Sequence, residues 1–422
     1  MTPLVVFVVL ASLVLAAVAT TTLVWMLWAW RTPEGFDDIR FPATAARPSR
    51  SFSLIVPARH EERVLEVTLD RLAALRHHAF EILVVVGHDD PGTKTVAEAV
   101  AAREPHVRVL VDHSEEKNKP KALNTALPAC RGEVVGVFDA EDDVHQDLLH
   151  RVDQCLDATD ADVVQGGVQL MNYRSSWYSL RNVLEYYFWF KSRLHFQAHA
   201  GFIPLGGNTI FVRRELIERV GGWDPECLAE DCDLGARLSA EGARTVVAYD
   251  SVLTTREETP DTLRGLARQR TRWNQGFLQV LRKPHWRRLP LRQRTLAFYT
   301  LASPFFQAFA GVLIPISLAT AVALAVPVPL ALLSFLPAVP LLMILTVEGA
   351  GLREFCREYG EPARLRDYAK LVLGAGPYQL VLALAAVRAV VRELVGRRDW
   401  HKTSHAGAHL SVEPAARAGD GR

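Results

Sequence analysis

The chain has 422 residues, 49% apolar and 23% charged, which supplies a large core and excludes a disordered chain or a small disulfide scaffold. Lys and Arg total 48 against 47 Asp and Glu, so no basic excess is available to neutralise a phosphate backbone, which argues against a nucleic-acid partner. The five cysteines (Cys130, Cys155, Cys227, Cys232 and Cys356) are odd in number and form no C-x-x-C pair, a pattern of reduced thiols rather than of disulfides or thiolate zinc.

Charge is segregated along the chain. Residues 3–30 carry none over 28 positions, about 42 Å of helix at ~1.5 Å per residue, enough to cross a ~30 Å hydrocarbon layer with tilt. Segment 1–30 is therefore predicted as a transmembrane helix, with Trp25, Trp28 and Trp30 as an interfacial aromatic belt. Arg31, Arg40, Arg47 and Arg50 follow it, and the positive-inside rule puts residues 31–294 in the cytoplasm.

Next come strand 52–57 and a helix over 61–75, then strand 81–87, helix 93–103, strand 106–111, helix 119–127 and strand 133–140. Continuous apolar strands alternating with helices predict a parallel sheet covered on both faces, with ligands beyond the strands' carboxyl ends. Polar clusters stand at three of those ends: 57–61 (PARHE), 88–91 (HDDP) and 139–143 (DAEDD). Carboxylates gathered at one edge repel one another unless a cation sits among them. Asp139 and Glu141 offer hard oxygen ligands suited to Mg²⁺ or Mn²⁺, which commonly bridge protein to a substrate phosphate, so a nucleotide diphosphate is implied. No P-loop and no G-x-G-x-x-G after the first strand is present.

A helix over 228–242 opens with Glu230, Asp231 and Asp233, and segment 261–283 is basic, with Trp273 and Phe277 four apart. Stretch 177–190 is aromatic and reads as core or interface packing. Residues 295–347 are uncharged over 53 positions and predict a membrane hairpin broken near Pro327 and Pro329. Residues 371–387 make a third, shorter candidate, interrupted by Gly374, Gly376 and Pro377; basic residues on both of its sides leave a re-entrant arrangement open. The tail over 406–422 reads as flexible.

The ordered series VPARHEE (56–62), HDDPGT (88–93), KPKALN (119–124), FDAEDD (138–143), LGGN (205–208), AED (229–231) and QRTRW (269–273) resembles the membrane-embedded inverting glycosyltransferases of family 2. That group includes cellulose, chitin, hyaluronan and poly-N-acetylglucosamine synthases. The resemblance implies an α/β GT-A fold (Rossmann-like, mostly parallel sheet) over 51–250 as a cytoplasmic domain. Interfacial helices carrying the Q-x-x-R-W motif would follow over 251–294, a transmembrane hairpin over 295–350 and a third membrane segment over 367–396. By resemblance, Ala58, Glu61 and Asp89 or Asp90 would hold the nucleoside, Lys119 the phosphates, and Asp139 with Glu141 the metal. Asp231 would be the base with Glu230 beside it, while Asn208, Gln269, Arg272 and Trp273 would complete the substrate site.

Three positions depart from the family pattern. Glu141 stands where D-x-D has its second Asp, with Asp142 as an alternative ligand; His60 stands where Asn is common; Ala229 replaces a Thr. Trp400 to His405 match a W-x-K-T-x-H ending found in bacterial relatives. The implied reaction moves a sugar from a UDP-sugar to a glycan or lipid acceptor, with membrane lipids as surroundings. QRTRW favours polymerisation, and the small membrane part favours a lipid acceptor. An inactive sugar-nucleotide-binding subunit is the rival, opposed by the retention of every charged participant.

Overall fold

The structure is a computed structural model that describes residues 3–31, 50–323 and 336–397. Arg40, Arg47, the break near Pro327 and Pro329, the 400–405 ending and the 406–422 tail lie outside the described residues.

Helix α1 (Pro3–Leu27) leads, and β1 (Phe52–Ala58), α2 (Leu65–Ala73), β2 (Phe80–Gly87), α3 (Pro91–Ala101), β3 (Val107–Asp112), α4 (Lys119–Ala126) and β4 (Val134–Val137) follow the alternation that the sequence predicts. Next are α5 (Leu148–Thr159), β5 (Val163–Gly166), β6 (Val168–Leu170), α6 (Ser179–Phe188), a π-helical turn (Trp189–Leu194), α7 (His195–Ala200), β7 (Ile210–Arg213) and α8 (Arg214–Arg219). The chain continues through α9 (Glu230–Ala240), β8 (Thr245–Ala248), β9 (Thr255–Glu257) and α10 (Leu263–Arg282). Helices α11 (Leu291–Leu301), α12 (Ser303–Ala323), α13 (Ala338–Glu358) and α14 (Leu365–Leu394) close the described chain.

Seven strands form one sheet in the order β3-β2-β1-β4-β7-β5-β8, and β6 pairs with β9 apart from it. All neighbours in the large sheet are parallel except β7, which runs antiparallel to both β4 and β5. Successive side chains of a strand face opposite sides. Leu54 and Val56 therefore enter one core with Val84, Val86, Leu69 and Phe211, and Ile55 enters the other with Leu83, Val85, Val135 and Leu123. Burial on both faces explains why these strands read as unbroken apolar runs. Because β7 is reversed, its entry, Gly207–Thr209, arrives at the same edge as the carboxyl ends of β1, β2 and β4, where Thr209 N donates to Val137 O at 2.7 Å.

Among the described residues, two helices are long and apolar enough to cross a membrane, spanning 9–31 and Leu365–Leu394, and α11 with the start of α12 forms a further pair bent by 46°. Gly374, Gly376 and Pro377, read from the sequence as an interruption, lie inside the single helix α14. That helix packs along α12, where a Cβ on Gly311 would come within 2.4 Å of the Ala383 Cβ; small residues let the two backbones close up. The tryptophans of the first segment, expected as a belt, pack against the rest of the protein. Trp25 is buried beneath the Arg193 guanidinium at 4.2 Å, and Trp28 Nε1 donates to His195 Nδ1 at 2.9 Å, so they dock the segment onto the π-helical turn and α7. Stretch 177–190 is mostly core, with Tyr187 fully buried and Trp177 exposed. All five cysteines are buried free thiols.

Helix α10 crosses the start of α9 in direct contact, since a Cβ on Gly276 would lie 2.4 Å from the Ala229 Cβ. Gly276→Val should therefore cost about 1–3 kcal/mol by overpacking. At about 2–4 °C per kcal/mol, the thermal midpoint of the purified full chain should fall by several degrees; an unchanged midpoint contradicts the contact.

Candidate active site

The loops at the carboxyl edge are held in uncommon backbone conformations. His60, Leu205 and Thr209 adopt positive φ (54°, 57° and 49°), and Gly207 lies among them at 87°. Non-glycine residues in this region cost energy and concentrate at functional sites.

Lys119 opens α4 at this edge. Asn118 caps the helix by accepting from Lys121 N at 2.9 Å, while its Nδ2 donates to Pro225 O at 2.9 Å and ties α4 to the approach to α9. Lys119 Nζ then donates to Asp139 Oδ1 at 2.5 Å and to Gly207 O at 3.0 Å. Burial alone would depress its pKa, but the charges of Asp139, Glu230 and Asp231 overturn that and raise it, so the amine stays cationic.

Asp139 and Glu141 follow β4. Glu141 is 9% exposed, and burial followed by the charges of Asp139, Glu61 and Glu257 pushes its pKa well above the usual carboxylate range. Asp142 is fully buried and pushed upward by burial, then by Glu257, Asp139 and Glu141. Its oxygens accept from Asn208 Nδ2 at 2.9 and 3.1 Å and from Asp139 N at 2.8 Å, so Asp142 braces the turn and leaves Glu141 as the partner of Asp139. Asn208 also donates to Glu257 Oε1 at 2.5 Å, which places this buried amide as a brace between carboxylates.

On the β1 side, Ala58 ends its strand buried, and Glu61 N donates to Thr93 Oγ1 at 3.0 Å. The two aspartates after β2 divide their roles. Asp90 is 2% exposed and accepts from His60 N at 2.6 Å and Thr93 N at 3.3 Å. Burial would raise its pKa, yet those hydrogen bonds outweigh it and lower it, as befits a helix cap that also pins the His60 turn. Asp89 lies on the open side in a bidentate pair with Arg59 at 3.2 and 3.1 Å, and its pKa is lowered chiefly by that guanidinium. Among the described residues, His60, Glu62 and Asp90 bring ligand atoms within 4.8 Å of one another. Asp90 is already committed there to two backbone amides, whereas Asp139 and Glu141 face Lys119 and the nearby carboxylates with hard oxygens.

Glu230 and Asp231 begin α9, where the helix dipole favours carboxylates. Burial first, then the Glu230 charge, pushes the Asp231 carboxyl up to about 7, with the Cys232 amide, Lys119 and Arg272 opposing the shift. Arg272 Nη1 donates to Leu228 O at 3.2 Å, and the buried Gln269 Oε1 has no hydrogen-bond partner among the described residues. Positions two apart on a helix point about 200° from one another, so Arg270 faces away from Arg272. The Arg270 guanidinium stacks on Trp273 at 4.6 Å and donates to Glu185 Oε2 at 2.9 Å and to Asn182 Oδ1. Tyr378 OH of α14 donates to Glu185 Oε2 at 2.6 Å, and Tyr186 packs on Trp273 at 6.2 Å. Sequence reasoning missed Arg270, Glu185, Tyr378 and Glu257; only Arg270 left a local sign, as the first cation of QRTRW.

The sequence profile described as "Glycosyltransferase like family 2" matches residues 48–276, more than half of the chain and all of these site residues except Tyr378. The chain belongs to the family 2 glycosyltransferases. Its relatives include a beta-monoglucosyldiacylglycerol synthase from Trichormus variabilis, 27% identical over 54% of this chain and 49% of the relative. A poly-beta-1,6-N-acetyl-D-glucosamine synthase from Staphylococcus aureus is 26% identical over 53% of each chain. The chain thus spans about half the length of the curated relatives it matches. Among solved structures, a mannosyltransferase from Pyrobaculum calidifontis in complex with GDP-Man and Mn²⁺ superposes with a TM-score of 0.56 at 20% identity, covering 92% of this chain and 99% of that one. The likeness is one of fold, and the mixed, mostly parallel Rossmann-like sheet is of the GT-A kind.

With Asp231 as a base it must be ionised, so kcat/KM for transfer should rise ~tenfold per pH unit up to about 7 and then level off. Asp231→Asn should cut turnover at least ~100-fold with donor affinity nearly intact. Equal losses of donor affinity and turnover would make Asp231 a binding or structural residue instead.

Proposed function

We propose that the chain is an inverting, metal-dependent transferase that moves a hexose or N-acetylhexosamine from a UDP-sugar to a lipid or glycan acceptor at the cytoplasmic membrane face, forming a β-linked product. The observation that carries this reading is the placement of Lys119 against Asp139 and within electrostatic reach of the Glu230–Asp231 pair, at the sheet's carboxyl edge.

In this reading the Asp231 carboxylate takes the proton of the acceptor hydroxyl, whose oxygen attacks the anomeric carbon from the face opposite the diphosphate. The bond from that carbon to the diphosphate oxygen breaks, and the departing charge is met by the Lys119 ammonium and the Arg272 guanidinium. Asp139 and Glu141 would hold Mg²⁺ or Mn²⁺, which supplies charge neutralisation at the diphosphate when bound. Their oxygen chemistry fits such an ion, and the crowding that raises the Glu141 pKa is the strain it would relieve. Asp89 and Glu61 border the open end of β1 and β2, where the nucleoside would lie, and Asp90 positions their loop. Trp273, fixed by Arg270 and Tyr186, offers a flat apolar face to the acceptor sugar or lipid headgroup. The two membrane-length helices and the basic residues after the first support a multi-pass protein with its GT-A domain inside.

The test measures UDP release and sugar transfer separately, with UDP-glucose and UDP-N-acetylglucosamine, in wild type and Trp273→Ala. Wild type should do both. The variant should retain hydrolysis of the donor while losing transfer, because the diphosphate contacts are intact and only the stacking surface is gone. Parallel loss of both activities in a destabilised protein refutes the acceptor role of Trp273, and absence of UDP release from wild type refutes the reading as a whole.

A further inference from the structure

A pocket opens between α10 and α14, beside Arg272 and Leu228. Arg268, Arg272 and Gln275 line it from α10, and Arg388 and Arg392 from α14. Arg268 and Arg388 make no ion pair with a described carboxylate, and Arg272 Nε is buried without a hydrogen-bond partner among the described residues. The carboxylate nearest in the chain, Glu393, is already taken by Arg282 Nη1 at 2.5 Å and Gln275 Nε2 at 3.2 Å. Arg392 Nε is oriented by donating to Gln275 Oε1 at 3.1 Å. Four guanidinium groups around one concavity repel one another, and an anion there removes that cost while accepting several charge-assisted hydrogen bonds.

The surroundings say what carries the anion. Leu384, Arg388, Val391 and Val395 recur at helical spacing on one stripe of α14, and the three apolar members are 59%, 52% and 62% exposed. A cation set within an exposed apolar stripe, at the end of a helix long enough to cross a membrane, matches an amphiphile with a phosphate headgroup and acyl chains. We propose that this pocket binds the phosphate of an anionic membrane lipid, with Arg268, Arg388 and Arg392 on the phosphate oxygens and the α14 stripe against the chains. Arg272, shared between this pocket and the Asp231 site, would couple lipid occupancy to the transfer centre. The inference goes beyond the transfer reaction, and its test reads binding alone.

The full chain in neutral detergent is titrated with phosphatidylglycerol and, separately, with phosphatidylcholine. Wild type should bind phosphatidylglycerol at least ~10-fold more tightly. Arg268→Gln with Arg388→Gln should weaken phosphatidylglycerol roughly 30-fold, from about 1 kcal/mol per arginine, and leave phosphatidylcholine unchanged. Should the double variant fail to fold, Arg388→Gln alone, on an exposed stripe, should still weaken it roughly fivefold on the same scale. Equal affinity for the two lipids, or an undiminished phosphatidylglycerol affinity in a folded variant, overturns the proposal. Displacement of the lipid by inorganic phosphate at equal concentration would make this a free-anion site, and displacement by UDP would assign the pocket to the donor diphosphate; either result overturns it too.

Discussion

At the carboxyl edge of the sheet, burial and the charges of Asp139 and Glu257 push the Glu141 and Asp142 carboxyls upward, and the Lys119 ammonium is set against them. Buried carboxylates at such spacing cannot all stay ionised without compensating cations. Much of the surrounding structure answers that constraint. Asn208 is brought in by the reversed strand β7 to donate to Asp142 and Glu257, and Asn118 fixes where Lys119 enters by joining α4 to the approach to α9. The same edge leaves Asp231 with a carboxyl poised to change protonation near neutrality, which suits a group that must accept a proton.

A second layer of interactions holds α10 over this edge. Gly276 allows contact with Ala229, Arg272 then reaches the Leu228 carbonyl, and on the opposite side of the helix Arg270 joins Glu185 of α6 and Tyr378 of α14. One helix therefore links the transfer site, the aromatic surface at Trp273 and the C-terminal membrane-length helix. A displacement of α14 would be felt at Glu185 and Arg270, and through the latter at the ring of Trp273.

The alternating strands and helices of the first half, and the clusters at the ends of β1, β2 and β4, were legible because unbroken apolar runs and polar strand ends carry local signals. Asp139 and Glu141 were singled out by their strand-end cluster, and Lys119 and Asp231 by motif order; the structure brings Lys119 against Asp139 and within electrostatic reach of the Glu230–Asp231 pair. Glu257, Glu185 and Tyr378 were not legible, since each reaches its place through a pairing between distant segments: β9 beside β6, or α14 across α6. The division of labour between Asp89 and Asp90 was also hidden. Both follow β2, and only the His60 turn, a contact across 30 positions, decides which one is buried as a cap.

The central claim is that this crowded edge takes a divalent cation together with a nucleotide diphosphate. Titration of the purified full chain with Mn²⁺, followed by electron paramagnetic resonance with and without UDP, tests it most directly. One saturable Mn²⁺ per chain is predicted, bound more tightly when UDP is present and lost in Asp139→Asn. Absence of saturable Mn²⁺ binding, or a UDP affinity indifferent to excess chelator, would contradict it.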